Sequence, residues 1–204
     1  MPQQERDFIG GILDRFMGRT PPSPRPAPPK PPPAITPGTS QYELTKAQDD
    51  ARNNPAFAPR QDGTTFCNRA TCEIVQRMKG PMGALTYPKG EYAVANDAGR
   101  YLAIDAKPDR PGQWRVVPPE DAQRLANEGI VVVGVQRNTG RDAQGGHKHG
   151  HMATVRPELI PGLAQSLGRA PIVNNIGARR TIEPGETAFR EDGGPVIYYT
   201  PRRR

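Results

Sequence analysis

Two cysteines, three histidines and a pair of asparagines are the residues whose types and spacing suggest covalent chemistry. A catalytic cysteine needs a base within hydrogen-bond reach, a group that orients that base, and an environment that favours the thiolate. Cys67 opens a stretch with helical periodicity, where the helix N-terminus places partial positive charge against a thiolate. Cys72 lies deeper in the same stretch and lacks that advantage. The alternative for Cys67 is a buried structural thiol, the commoner fate of free cysteine. A disulfide between the two is awkward, because side chains at i and i+5 on a helix point in different directions.

The base must come from His147, His149 and His151. In a strand all three would share one face, so a metal site built from His147, His149 and His151 is the rival reading. The histidines stand instead in a glycine-rich approach to an apolar run. His151 begins that run and would be held rigidly, which favours it as the base. Downstream, Asn174 and Asn175 sit in a short apolar segment, where alternation lets only one of them face a site. A polar turn before Gly177 is the plain alternative for the pair.

The elements that would carry these residues can be read from periodicity. Residues 42–53 (YELTKAQDDARN) predict a helix. Residues 67–79 predict a second, with Ala70, Ile74 and Met78 spaced by four, Thr64 or Thr65 as cap, and Gly80-Pro81 as stop. Residues 92–104 predict a third helix, interrupted at Asp97-Ala98-Gly99. Residues 114–117 are short and apolar, and Pro118-Pro119-Glu120 opens a helix that Gly129 closes. Residues 130–136 (IVVVGVQ) are the clearest strand, β-branched and buried on both faces. Residues 151–157, 171–177 and 196–200 predict three more, the first pairing antiparallel with 130–136. Helices first and strands after imply an α+β fold.

Before this region, more than half of the residues from Thr20 to Pro37 are proline. Such a stretch holds neither helix nor ladder and is expected to be an extended polyproline spacer. We expect three parts: a docking peptide over 1–19, a linker over 20–40, and a folded domain over 41–204. Residues 7–17 (DFIGGILDRFM) set Phe8, Ile12 and Phe16 on one helical face, too short to be stable alone, so a protein partner is expected there. No secretory signal is read in residues 1–18, and no apolar run approaches the ~20 residues of a membrane span. The net charge of +7 suits polyanions, including the acidic polymers of a bacterial wall. Aromatic residues do not interleave with basic ones as nucleic-acid stacking requires.

The string Phe66-Cys67-Asn68, then "AQRLANEGIVVVGV", "GHMATVRP" and "VNNIG", resembles the NlpC/P60 and CHAP group of papain-like peptidoglycan hydrolases. The likeness runs in order from about residue 64 to 178 and is nearest to phage-type and secreted lysins. It implies a papain-like domain with a helix-borne cysteine on a small antiparallel sheet. Carried over, Cys67 matches the nucleophile, His151 the general base, and Asn175 the orienting residue, with Asn174 the near alternative. An amide oxygen at that third position would accept the Nδ1 proton and fix the ring. The resemblance further implies thioester chemistry on a stem-peptide amide, with no cofactor and with backbone N–H groups at the helix start as the oxyanion site. Asn68 is a candidate contributor to that site, and Trp114 and Tyr101 are candidate groove walls. It also implies action on the bacterial wall, with the N-terminal peptide tethering the enzyme to a virion or similar assembly. A non-catalytic component with a hydrolase-like fold is the competing class.

Overall fold

The computed structural model describes residues 36–62, 64–109, 112–141, 145–146, 148–160, 162–166, 168, 171–189 and 193–202. The expected docking peptide and the linker as far as residue 35 lie outside the described residues, as does His147.

Helix α1 (Ser40–Asn53) starts at Thr39, whose hydroxyl oxygen accepts the Tyr42 N–H at 3.2 Å. It buries Leu44, Ala47, Gln48 and Ala51, a single helical stripe. Helix α2 (Cys67–Arg77) buries Cys67, Ala70, Cys72, Ile74 and Val75. Its N-cap is Phe66 and no side chain caps it, so neither Thr64 nor Thr65 does what the sequence predicts. Helix α3 (Ala95–Asp105) runs unbroken through Asp97-Ala98-Gly99. Gly99 serves close packing instead of interruption, since a Cβ there would stand 2.7 Å from Arg137 Cγ and 3.0 Å from Val135 Cγ1.

The chain continues through β1 (Trp114–Val117), α4 (Pro119–Asn127), β2 (Val133–Gln136), β3 (His151–Val155), α5 (Leu163–Ser166), β4 (Ile172–Ile176), β5 (Arg180–Pro184), α6 (Gly185–Ala188) and β6 (Val196–Pro201). The strands form one six-stranded sheet in the order β1-β6-β2-β3-β4-β5, every pair antiparallel. The α+β class therefore holds, with a sheet wider than the four strands the sequence predicts, because β1 and β5 add to it. Strands β2 and β3 pair as expected, from Val133 opposite Thr154 to Gln136 opposite His151.

Successive strand residues face opposite sides of the sheet. Met152, Ile176, Val133 and Tyr199 accordingly join α1, α2 and α3 in one apolar cluster. Ala153, Val155, Val173 and Tyr198 join Ala122, Leu125 and Ala126 of α4, together with Phe189, in a second. Gln48 of α1, fully buried, donates from Nε2 to Thr154 Oγ1 (3.0 Å) and to the Val155 carbonyl (2.8 Å), anchoring α1 on β3. No helix among the described residues is long and apolar enough to cross a membrane.

Candidate active site

Cys67 is the first residue of α2, and α2 packs on β3. The β3–β4 ladder pairs Thr154 with Asn174 and Val155 with Val173 and goes no further toward His151. Where the two strands part, the Met152 N–H reaches the Cys67 thiol, joined by the N–H groups of Asn68 and Cys67 itself. These donors favour the thiolate, yet burial outweighs them and pushes the thiol above its ordinary value of 9.0. The helix start thus does not yield a thiol that is acidic at rest, contrary to the sequence expectation; tertiary burial decides it.

His151 stands one residue before Met152. Its Nε2 lies 2.9 Å from Asn175 Oδ1, and its ring packs at 64° against Phe189 with centroids 5.4 Å apart. Burial pushes the imidazole below its usual 6.5, while the Asn175 hydrogen bond and the charge of Glu183 pull the other way. The nitrogen held by Asn175 is Nε2 and not the expected Nδ1, so Nδ1 is the nitrogen outside this contact. Both partners are neutral near pH 7 at rest, with a protonated thiol and an unprotonated ring.

Alternation separates the two asparagines. Asn174 turns to the α1 face, where its Nδ2 donates to the Gln48 carbonyl (3.2 Å). Asn175 turns to the His151 face, and its Nδ2 donates to Glu183 Oε1 (2.7 Å). Gly177 lies against the same ring, for a Cβ on it would sit 3.0 Å from His151 Cε1.

A cleft of about 300 Å³ opens beside the thiol, lined by Thr64, Thr65, Asn68, Val94 and His149 among others. Asn68 donates from Nδ2 to the Ala93 carbonyl (3.1 Å), tying α2 to the segment that forms the opposite wall. Asn96 holds the far side. Its Nδ2 donates to the carbonyls of Asn138 and Lys148 (both 3.0 Å), and its Oδ1 accepts the Asn138 N–H (2.8 Å), fastening the approach to His151 onto α3. The guanidinium groups of Arg60 and Arg69 lie over the ring of Phe66, the residue before Cys67, 5.1 and 5.5 Å from its centroid.

Trp114 is corrected. It is fully buried in the α1–α3 cluster, on edge strand β1, and presents no face to a groove. Tyr101 is half-buried and meets Tyr87 edge-on at 6.3 Å. Cys72 is buried, its Sγ 3.6 Å from the Leu85 carbonyl, and its pKa is pushed up to about 12, first by burial. Both cysteines are free. His149 is exposed on the cleft while His151 is engaged by Asn175, and among the described residues no group of three His, Cys, Asp or Glu side chains is placed to hold a metal.

Sequence reasoning missed Glu183, Thr181, Phe189 and Asn96. The signal for the first two was present as the alternation in "RTIEP", two residues after the turn at Gly177-Ala178, which reads as the return strand of a hairpin. No protein-family model matches the chain, and no curated protein matches it.

Proposed function

We propose that this protein is a cysteine hydrolase of amide bonds, with a papain-like arrangement and peptidoglycan stem peptides as its substrate class. The observation that carries the reading is the 2.9 Å contact between His151 Nε2 and Asn175 Oδ1, together with a cysteine that opens an uncapped helix and meets the N–H of Met152, the residue after His151. In this reaction His151 Nδ1 takes the Cys67 proton as the thiol attacks the carbonyl carbon, forming a C–S bond and an oxyanion. Backbone N–H groups at the α2 start, those of Cys67 and Asn68, receive the oxyanion. Collapse expels the amine, which leaves with the proton held by His151. Water then attacks the thioester, giving its proton back through His151 and releasing a carboxylic acid and the free thiol.

The wall substrate is supported by the family resemblance, the net charge of +7 and the two guanidinium groups stacked on Phe66, the residue before Cys67. The same reading assigns the enzyme to the bacterial wall as an amidase or endopeptidase, tethered through a partner of residues 7–17. Burial of the thiol, with its raised pKa, favours a second reading as a non-catalytic structural component. Digestion of purified peptidoglycan, followed by mass spectrometry of released fragments, separates the two. The expected result is fragments with new amino termini and a loss of at least ~10³-fold in Cys67→Ala. Equal release with and without Cys67 would refute the proposal, as would no release at all.

A further inference from the structure

We infer that Glu183 is the positioning residue that selects the tautomer of His151, acting through the side-chain amide of Asn175. The inference rests on the reading of Cys67 and His151 as a nucleophile and base. Strand β5 pairs with β4 so that Thr181 stands opposite Asn175 and Glu183 opposite Val173. Glu183 is therefore the diagonal neighbour of Asn175 on one face of the sheet. Asn175 Nδ2 donates to Glu183 Oε1 at 2.7 Å, and Thr181 Oγ1 donates to the same oxygen at 2.5 Å.

An ionised carboxylate only accepts, whereas an amide presents one accepting and one donating end. Glu183 thus turns the Asn175 NH₂ toward itself and the Asn175 oxygen toward His151. An oxygen facing Nε2 requires Nε2 to carry the hydrogen, so the neutral ring keeps its lone pair on Nδ1. Only that tautomer can take a proton from the thiol on the free nitrogen. The carboxylate stays ionised because its hydrogen bonds from Thr181 and Asn175, with the nearby charge of Arg179, outweigh the burial that pushes its pKa up. Its charge also favours the imidazolium once formed. The ionisable groups that act on one another here are His151 on β3, Glu183 on β5 and Arg179 in the β4–β5 turn.

A glutamine at 183 would keep the shape and lose the direction. Its amide can accept from Asn175 or donate to it, and in the second case Asn175 presents NH₂ to the ring and selects the Nδ1–H form. Glu183 is half-buried on an edge strand, so Glu183→Gln is not a core change; Glu183→Ala, which also leaves the amide undirected, is the second variant.

The test uses the full chain with ¹⁵N-histidine labelling and two readouts. Imidazole ¹⁵N shifts report the His151 tautomer, and intact-mass kinetics of iodoacetamide labelling report Cys67 reactivity across pH, with Cys72 as internal control. We expect Nε2–H in the wild type and a mixture or Nδ1–H in both variants. Cys67 labelling at neutral pH should slow by ~10- to ~10⁴-fold, the range spanned by loss of a residue that orients a catalytic histidine. An unchanged tautomer with unchanged labelling in both variants overturns the inference. Wild-type Cys67 labelling no faster than a simple thiol would instead sink the nucleophile reading, whatever the tautomer shifts say.

Discussion

Substituting Gly177 by alanine perturbs His151 without removing any hydrogen-bonding group. Gly177 does not have a positive φ, so alanine can adopt its backbone. The added methyl would lie 3.0 Å from His151 Cε1 and 3.4 Å from Asn175 Oδ1. Carbon–carbon contacts prefer ~3.5–4.0 Å, so the ring must give way by roughly half an ångström. It has little room. Retreat strains the 2.9 Å bond from Nε2 to Asn175, and the ring already packs against Phe189, a residue buried over Gly134. Overpacking of this kind costs about 1–3 kcal/mol. If that cost falls on the reacting geometry, the rate drops by roughly 5- to 150-fold, at about 1.4 kcal/mol per factor of ten. The assay is kcat/KM for fragment release from peptidoglycan, run beside the melting temperature and the Cys67 labelling rate. A variant with wild-type kcat/KM would refute the reasoning. Either the ring retreats freely, or its position does not limit the reaction.

Two further outcomes follow from the buried polar groups. Gln48→Ala removes donors to Thr154 Oγ1 and the Val155 carbonyl at a fully buried site, and urea unfolding should show a loss of about 2–4 kcal/mol. Cys67 labelling of the folded fraction should stay within a factor of ~2, because Gln48 faces away from His151; a parallel loss of reactivity would place Gln48 in the site. Stability should also decline on both sides of neutrality. His151 titrates below 6.5 when folded, so its contribution is complete above that value and is lost as pH falls through the folded pKa. Cys67, Cys72 and Tyr198 titrate above their ordinary values of 9.0, 9.0 and 10.0, so theirs is present below those values and is lost as pH rises through the folded pKa values, about 12 for Cys72 and Tyr198. Denaturant midpoints measured against pH should therefore peak between about 6.5 and 9, and Cys67→Ala should flatten the alkaline side. An unchanged alkaline slope in that variant would contradict the assigned burial effect.

Much of the frame was legible because it rests on local pattern. The stripe of Leu44, Ala47 and Ala51, the β-branched run before Gln136 and the apolar start at His151 all appear as elements near their predicted places. What pattern could not supply is relation in space. Strand β5 has just Thr181 and Ile182 as β-branched residues and ends in proline, as an edge strand can, so the short alternation that carries Glu183 is a weak strand signal. Trp114 is a candidate groove wall in the sequence, yet β1 turns it into the core, the commoner place for a lone tryptophan. The choice between Nε2 and Nδ1 depends on which side of the ring Asn175 approaches, a matter of strand register and rotamer. The thiol's raised pKa depends on burial by residues distant in sequence.

The parting of β3 and β4 links these pieces. A ladder continued by one more pair would bring the strands together beside Met152, the place at which its N–H now meets the thiol. The break therefore lets a cysteine from the helical face approach the sheet next to His151, whose ring and orienting Asn175 belong to the other face. With both partners neutral at rest, reactivity under the proposed chemistry is governed less by the acidity of Cys67 than by how well His151 is held to receive its proton. Three contacts hold it: the Asn175 oxygen set by Glu183, the Phe189 edge and the bare α-carbon of Gly177. Altering any of them should change the rate at which Cys67 reacts more than it changes the stability of the fold, a ratio that separates a catalytic arrangement from a merely buried thiol beside a merely satisfied histidine.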